Sequence, residues 1–122
     1  MTPELLESAR VLGTALHESQ AVQAYLQAKI EAETNPEAAS LEAHMLEVYH
    51  ALLARQQNGE QLTQSEVQEF YALRNQVQYH PLIKARDAAL SQVKVVFAEA
   101  GTEITNQLGV DFTTLALAAL EE

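Results

Sequence analysis

The stretch that decides the fold is RQQNGEQLTQSEVQEF, from Arg55 to Phe70. Its Asn58-Gly59 pair is a strong signal for a two-residue β-hairpin turn, but the residues before it follow a helical pattern. In that setting Gly59 is predicted to be the left-handed residue that ends a helix. Thr63-Gln64-Ser65-Glu66 then matches the capping box that starts the next helix. The stretch therefore predicts a helical hairpin rather than a β-hairpin.

Further helix signals recur along the chain. Thr2-Pro3-Glu4 combines an N-cap, a proline at the first helical position and an acid in the first turn. Asn35-Pro36-Glu37 starts a third helix that runs to about Gln57, since proline fits a first turn and disfavours helix before it. Ser19 marks either a bend that starts a second helix or a point in one unbroken helix, and the pattern leaves both open.

The second half of the chain predicts three more helices. The fourth carries Val67, Phe70, Tyr71, Arg74 and Val77 in its pattern, and His80-Pro81 then opens a fifth that runs to about Leu108. Gly109 caps the end of the fifth helix, and TTLALAAL, Thr113 to Leu120, is predicted as a short apolar helix. We therefore predict one all-α domain over residues 1–122, with its core at about 3–108, built from antiparallel helical hairpins and a long C-terminal helix.

Composition excludes several classes of protein. The chain of 122 residues has no cysteine, which rules out disulfides, thiolate zinc sites and cysteine-held iron–sulfur clusters. No apolar run reaches the roughly 18 to 20 residues that a membrane span needs, and the acidic N-terminus is unlike a secretory signal. We therefore expect a cytoplasmic protein. A net charge of −10, from 17 acidic and 7 basic side chains, opposes nucleic-acid binding.

The length of the fifth helix predicts assembly. About 27 residues at 1.5 Å each span roughly 40 Å, against a radius of gyration near 14 Å for a compact domain of this size. Its apolar stripe and the apolar tail behind it need cover, so we expect a homodimer, or a dimer of dimers. A bend at Gly101 is the alternative that would keep the chain monomeric. The predicted oligomer interface is Phe97, Ile104, Leu108, Leu115 and Leu117.

Charge is uneven along the chain. Residues 55–98 carry five of the seven basic side chains, whereas residues 99–122 have five acids and no base. Lys84 and Arg86 are candidates for docking an acidic protein partner, and an ordinary solvated first turn is the alternative interpretation. Direct RNA binding through the 55–98 strip is a third interpretation, which would show steep salt dependence.

No catalytic constellation emerges from the motifs. Glu47 and His50 match the Glu-x-x-His spacing of di-iron helical bundles, but no second such pair is present, and a helix-surface pair is the alternative. No Gly-x-Ser-x-Gly elbow and no glycine-rich phosphate loop occurs. We predict no cofactor and no enzyme activity. A metal-dependent enzyme built on Glu47 and His50 is the alternative function.

The order of four segments resembles the YlbF/YmcA family of small bacterial helical proteins, including its YheA-like branch. These segments are ARVLGTALHESQAVQAYLQAK (Ala9 to Lys29), NPEA (Asn35 to Ala38), RQQNGEQLTQSEV (Arg55 to Val67) and HPLIKARDAALSQV (His80 to Val93). In the family the first leads into the second helix, the third closes the central hairpin and the fourth opens the long last helix. The resemblance covers about residues 5–108.

The resemblance implies an all-helical oligomer that acts by binding proteins. Members of the better-understood branch assemble into a complex that assists the endoribonuclease RNase Y in mRNA processing, and so affect development. Those members bind iron–sulfur clusters through cysteines, a pattern from which this cysteine-free chain departs. We therefore expect a non-enzymatic adaptor or regulatory factor, linked through its family to RNase Y-type mRNA processing or developmental regulation.

Overall fold

The computed structural model describes residues 1–121, apart from the side chain of Glu121. These residues form six helices and contain no strand, which confirms the all-α prediction. The helices are α1 (Pro3–Glu18), α2 (Gln20–Thr34), α3 (Pro36–Gln57), α4 (Gln64–Tyr79), α5 (Pro81–Leu108) and α6 (Phe112–Glu121).

The turn between α3 and α4 has the geometry that the sequence predicts. Gly59 takes a positive φ of 82°, which side chains disfavour and glycine tolerates, and it follows the C-cap Asn58. The Thr63 hydroxyl accepts from the Glu66 backbone N–H at 3.1 Å, and the Glu66 carboxylate accepts from the Thr63 N–H at 3.1 Å. This reciprocal capping box starts α4.

Ser19 separates α1 from α2, so the sequence alternative with a bend is the correct one. Its backbone is extended, its hydroxyl donates to the Leu16 carbonyl at 2.6 Å, and the same hydroxyl accepts from the Val22 N–H at 3.4 Å. One side chain thus satisfies a carbonyl at the end of α1 and an N–H at the start of α2, groups that a helix end leaves unpaired.

The described chain forms two compact units. Residues 24–88 make up one, and residues 1–23 together with 89–122 make up the other. We call them the central unit and the terminal unit. The prediction that residues 1–122 form a single domain stays a prediction. It depends on whether the two units unfold together in one transition.

The core of the central unit lies where α3, α4 and the start of α5 meet. Ala38 and Ile83 are buried almost completely and Val77 is 3% exposed, with Leu41 and Met45 packed against them. α3 and α4 pack along one another as the two arms of the hairpin.

In the terminal unit, α6 folds back on the end of α5. Gly109 reverses the chain with a φ of 79° and Thr105 accepts from the Phe112 N–H at 3.1 Å. A Cβ on Gly101 would lie 2.9 Å from the Thr113 hydroxyl oxygen, closer than side chains approach. Gly101 is buried because α6 passes over it, and α5 stays helical through this position. The alternative of a bend at Gly101 stays a prediction.

α6 begins at Phe112, one residue earlier than predicted, and ends at Glu121, one residue later than predicted. The carboxylate of Asp111 accepts from the Thr114 N–H at 3.2 Å and from the Thr114 hydroxyl at 2.9 Å. These hydrogen bonds, the hydroxyl one first, hold the pKa of Asp111 below its usual value. Asp111 thus acts as the N-cap of α6, and the sequence prediction did not include this cap.

Candidate functional site

Two cavities on the central unit share the side chains of Tyr49 and Phe70. Their volumes are about 230 Å³ and 360 Å³, and the two rings lie 6.0 Å apart between centroids. The smaller cavity extends toward Leu53 and the larger one toward Leu46 and Arg74. We call the pair the α3–α4 groove.

The walls of the groove are largely apolar and open to solvent, although Glu42, Arg86 and Asp87 also line the larger cavity. Leu46, Tyr49 and Tyr71 are each about half exposed. Large aromatic side chains of this kind carry most of the binding energy in protein–protein contacts when a partner covers them. The groove is therefore a candidate binding surface for an apolar segment.

One cation on the rim of the groove, Arg74, has no acidic partner among the described residues. Its guanidinium lies 4.9 Å from the centroid of the Tyr71 ring, a cation–π contact. None of the ion pairs in the described part of the chain includes Arg74. The sequence predicts Tyr71 and Arg74 in the buried pattern of α4, whereas both are exposed and their neighbour Leu73 is half-buried.

Arg86, by contrast, is used within the chain. It donates to both carboxylate oxygens of Glu42, each at 2.7 Å, and also to Asp87 at 3.0 Å. These hydrogen bonds, those to Glu42 first, raise the pKa of Arg86 above its usual value. The pair joins α5 to α3 and leaves the Arg86 side chain only 19% exposed, so the interpretation of a solvated first turn does not hold for it.

Lys84 has a different setting from Arg86. It is exposed, and its ammonium lies 6.0 Å from the centroid of the Tyr79 ring. Of the two cations proposed to face a protein partner, Lys84 is therefore the accessible one. The partner surface itself stays a prediction.

Two of the four histidines contact neighbouring groups of the fold. The His80 Nδ1 atom accepts from the Leu82 N–H at 3.2 Å, as expected for a histidine at a helix junction. His50 packs edge-on against Tyr49, with the centroids 5.5 Å apart. No group of three or more His, Asp or Glu side chains able to hold a metal occurs among the described residues, so Glu47 and His50 gain no further ligand.

A third cavity, of about 320 Å³, contains one carboxylate that is already paired, that of Glu66. It is lined in part by His44, Glu66 and Glu69. Glu66 forms an ion pair with Arg55, which links α3 to α4, and it also caps α4 through Thr63. The hydrogen bond from Arg55 and those from Thr63 lower the pKa of Glu66 to about 2. The Glu66 carboxylate therefore stabilises the α3–α4 hairpin.

Four of the five predicted interface residues are exposed. Phe97, Leu108, Leu115 and Leu117 are 49–59% exposed, and Ile104 is half-buried. All of them lie on α5 or α6 in the terminal unit. Their role in an oligomer interface stays a prediction.

The family comparison covers nearly all of this architecture. Residues 5–109 match a family model described as "Control of competence regulator ComK, YlbF/YmcA". The chain belongs to the YlbF/YmcA family. This confirms the resemblance seen in the four segments, while membership of the YheA-like branch stays a prediction. The YlbF/YmcA match ends at Gly109, so α6 lies beyond it. No curated protein and no solved structure matches the chain.

The YlbF/YmcA family is described by a regulatory role, the control of a competence regulator. No described helix combines the length and the apolar character that crossing a membrane requires.

Proposed function

We propose that this protein is a non-enzymatic regulatory adaptor of the cytoplasm that acts as a homo-oligomer. The observation that carries the proposal is the set of exposed apolar side chains on α5 and α6, in a chain whose family is regulatory. Adaptors bind other proteins through exposed apolar surfaces, and the side chains of α5 and α6 form such a surface.

The energetics favour covering these side chains. Burying one Leu or Phe stabilises by about 1.5 to 3 kcal/mol relative to leaving it exposed. Four half-exposed members of the set, Phe97, Leu108, Leu115 and Leu117, lie on two helices of one unit. A second copy of the chain would cover them, which makes self-association the first use of this surface.

The regulatory role that we propose is the one that the family indicates. Its description concerns control of the competence regulator ComK, and the family resemblance implies RNase Y-type mRNA processing or developmental regulation as the process. We propose that the oligomer takes part through a protein partner, with Lys84 on the surface that meets an acidic region of that partner. Lys84→Glu would weaken such binding, with Lys94→Glu as the control.

The proposal is tested by solution mass, measured by light scattering coupled to size exclusion. We expect a dimer or tetramer for the whole chain, and a lower mass for Phe97→Ser with Leu108→Ser and for a chain cut after Leu108. Glu99→Ser, an exposed change on the same helix, is the matched control and should leave the mass unchanged. A monomer for the whole chain at every concentration would overturn the homo-oligomer.

A further inference from the structure

α6 is apolar on all its sides. Its sequence FTTLALAALE has only two threonines and one glutamate among ten residues. A helix of this kind is covered on every side in soluble proteins. Thr113 meets Gly101 of α5, but all residues of α6 from Phe112 to Leu120 are exposed, Phe112 by 41% and Leu115 by 59%. α6 therefore has little cover from the described residues along its whole length.

The α3–α4 groove has about the length of this helix. From Leu46 to Gln56 along α3 the groove extends about 15 Å, and the ten residues of α6 also extend about 15 Å. Helices that dock into apolar grooves use anchors at i, i+3 and i+7. Phe112, Leu115 and Ala119 have that spacing and lie away from Thr113.

Charge orients the helix in the groove. Arg74, at the end near Leu46, is the rim cation without an acidic partner among the described residues. The chain ends in Glu121-Glu122, and residues 99–122 contain five acids and no base. The C-terminal end of a helix also carries partial negative charge from its own dipole. Both effects favour the C-terminal end of α6 beside Arg74.

We infer that α6 of one copy docks in the α3–α4 groove of a second copy, with its acidic end beside Arg74. Phe112 then lies toward Leu53, Leu115 lies against the Tyr49–Phe70 pair, and Ala119 lies toward Leu46. The inference rests on the proposed homo-oligomer and names the two surfaces that meet in it. Reciprocal docking closes at two copies, whereas one-way docking continues to larger assemblies.

Disulfide trapping tests the register directly, because the chain has no cysteine of its own. Ala119→Cys in one tagged copy is mixed with Leu46→Cys in another, and mild oxidation is applied. The matched control is Ala119→Cys with Leu53→Cys. Positions 46 and 53 are about 10 Å apart along α3, more than a disulfide tolerates, so we expect the 46–119 link to exceed the 53–119 link roughly tenfold.

A second pair of variants tests the role of charge. Arg74→Glu, added to the copy with Leu46→Cys, should lower the yield of the 46–119 link about threefold or more. The new carboxylate at position 74 would repel the acidic end of α6, whereas the arginine attracts it. Arg74→Lys keeps the charge and should retain most of the link. Equal yields for Arg74→Glu and Arg74→Lys would overturn the orientation that we infer.

The remaining outcomes separate this inference from the proposed oligomer. Oligomeric mass with links of equal yield at 46 and 53, or with only 119–119 links, would overturn docking in the groove and leave the homo-oligomer standing. A monomer without links would overturn both. A chain with both Leu46→Cys and Ala119→Cys that links only within itself would overturn docking between copies.

Discussion

Arg86 on α5 and Glu42 on α3 form a two-point ion pair, with both nitrogen–oxygen distances at 2.7 Å. The two residues are 44 positions apart in the chain, and their side chains are only 19% and 27% exposed. A paired, planar contact of this kind is stronger and more directional than an exposed ion pair. It ties the start of the long helix to the central hairpin.

Removing one partner of this pair should destabilise the protein measurably. We expect Glu42→Ala to lower the free energy of unfolding by about 1 to 3 kcal/mol, because Arg86 would keep its partial burial without its main acceptor. Glu7→Ala is the control, since the Glu7–Arg10 pair is 68% exposed on both sides with a distance of 3.9 Å. The control should change stability by less than about 0.5 kcal/mol. Urea unfolding measures both, and equal losses would contradict the prediction.

The contact between Gly101 and Thr113 should appear as coupling between two substitutions. A Cβ on Gly13, in the middle of α1, would meet no atom within 4 Å, so Gly13→Ala should stabilise by about 0.5 to 1 kcal/mol through helix propensity. Gly101→Ala should fall short of that gain, because its methyl meets the Thr113 hydroxyl. Gly101→Ala combined with Thr113→Ala should recover stability by about 1 kcal/mol over the sum of the single changes. Thermal unfolding of the natural chain, Gly101→Ala, Thr113→Ala and the double variant measures this coupling. Additive effects would show that α6 does not pass over Gly101.

The two glycines with positive φ should resist substitution. Gly59→Ala and Gly109→Ala should each destabilise by about 1 to 2 kcal/mol, because a Cβ is strained at φ of 82° and 79°. Gly59→Asn should cost less than Gly59→Ala, since asparagine tolerates this conformation better. The same unfolding measurement applies, and Gly13→Ala, with the opposite sign, is the reference. A stabilising Gly59→Ala would contradict the left-handed turn.

Acid should remove the contribution of the Glu66 carboxylate to the stability of the fold. The folded pKa is about 2, below its usual value of 4.5, so the ionised form is favoured by folding. The stabilisation is therefore complete above pH 4.5 and is lost as the pH falls toward 2. We expect the stability difference between the natural chain and Glu66→Gln to be largest near neutral pH and to shrink below pH 4.5.

Urea midpoints measured from neutral pH down to the acid range test this prediction. Glu69→Gln is the matched control on the same helix, and its difference should depend less on pH because the Arg55 and Thr63 contacts belong to Glu66. A pH-independent difference for Glu66→Gln would contradict the ion pair.

Most helix boundaries could be predicted because their causes are local. The caps at Thr2, Asn35 and Thr63, and the glycine at position 59, act over three or four residues that the sequence displays together. α3 and α5 end where these signals and their patterns place them. The observed α6 is one residue longer at each end than the predicted helix. The prediction started it at Thr113 because it did not include Asp111 as the N-cap.

The candidate site was harder to predict, as α4 illustrates. Leu73 and Arg74 are neighbours, and both fit a helical repeat with Phe70 and Val77. Only the packing of α4 on α3 places Leu73 partly inside and leaves Arg74 at the rim of the groove. The groove that results depends on two helices at once, and no single helix reveals it.

The sequence by itself determined the all-α class, the order of the helices, the central hairpin and the family, because propensity, capping and spacing are properties of short segments. Only the tertiary structure decided that Arg86 pairs with Glu42, that α6 packs closely over Gly101, and that Arg74 borders an open apolar groove. Each of these depends on how helix faces pack against one another, which local preference does not set.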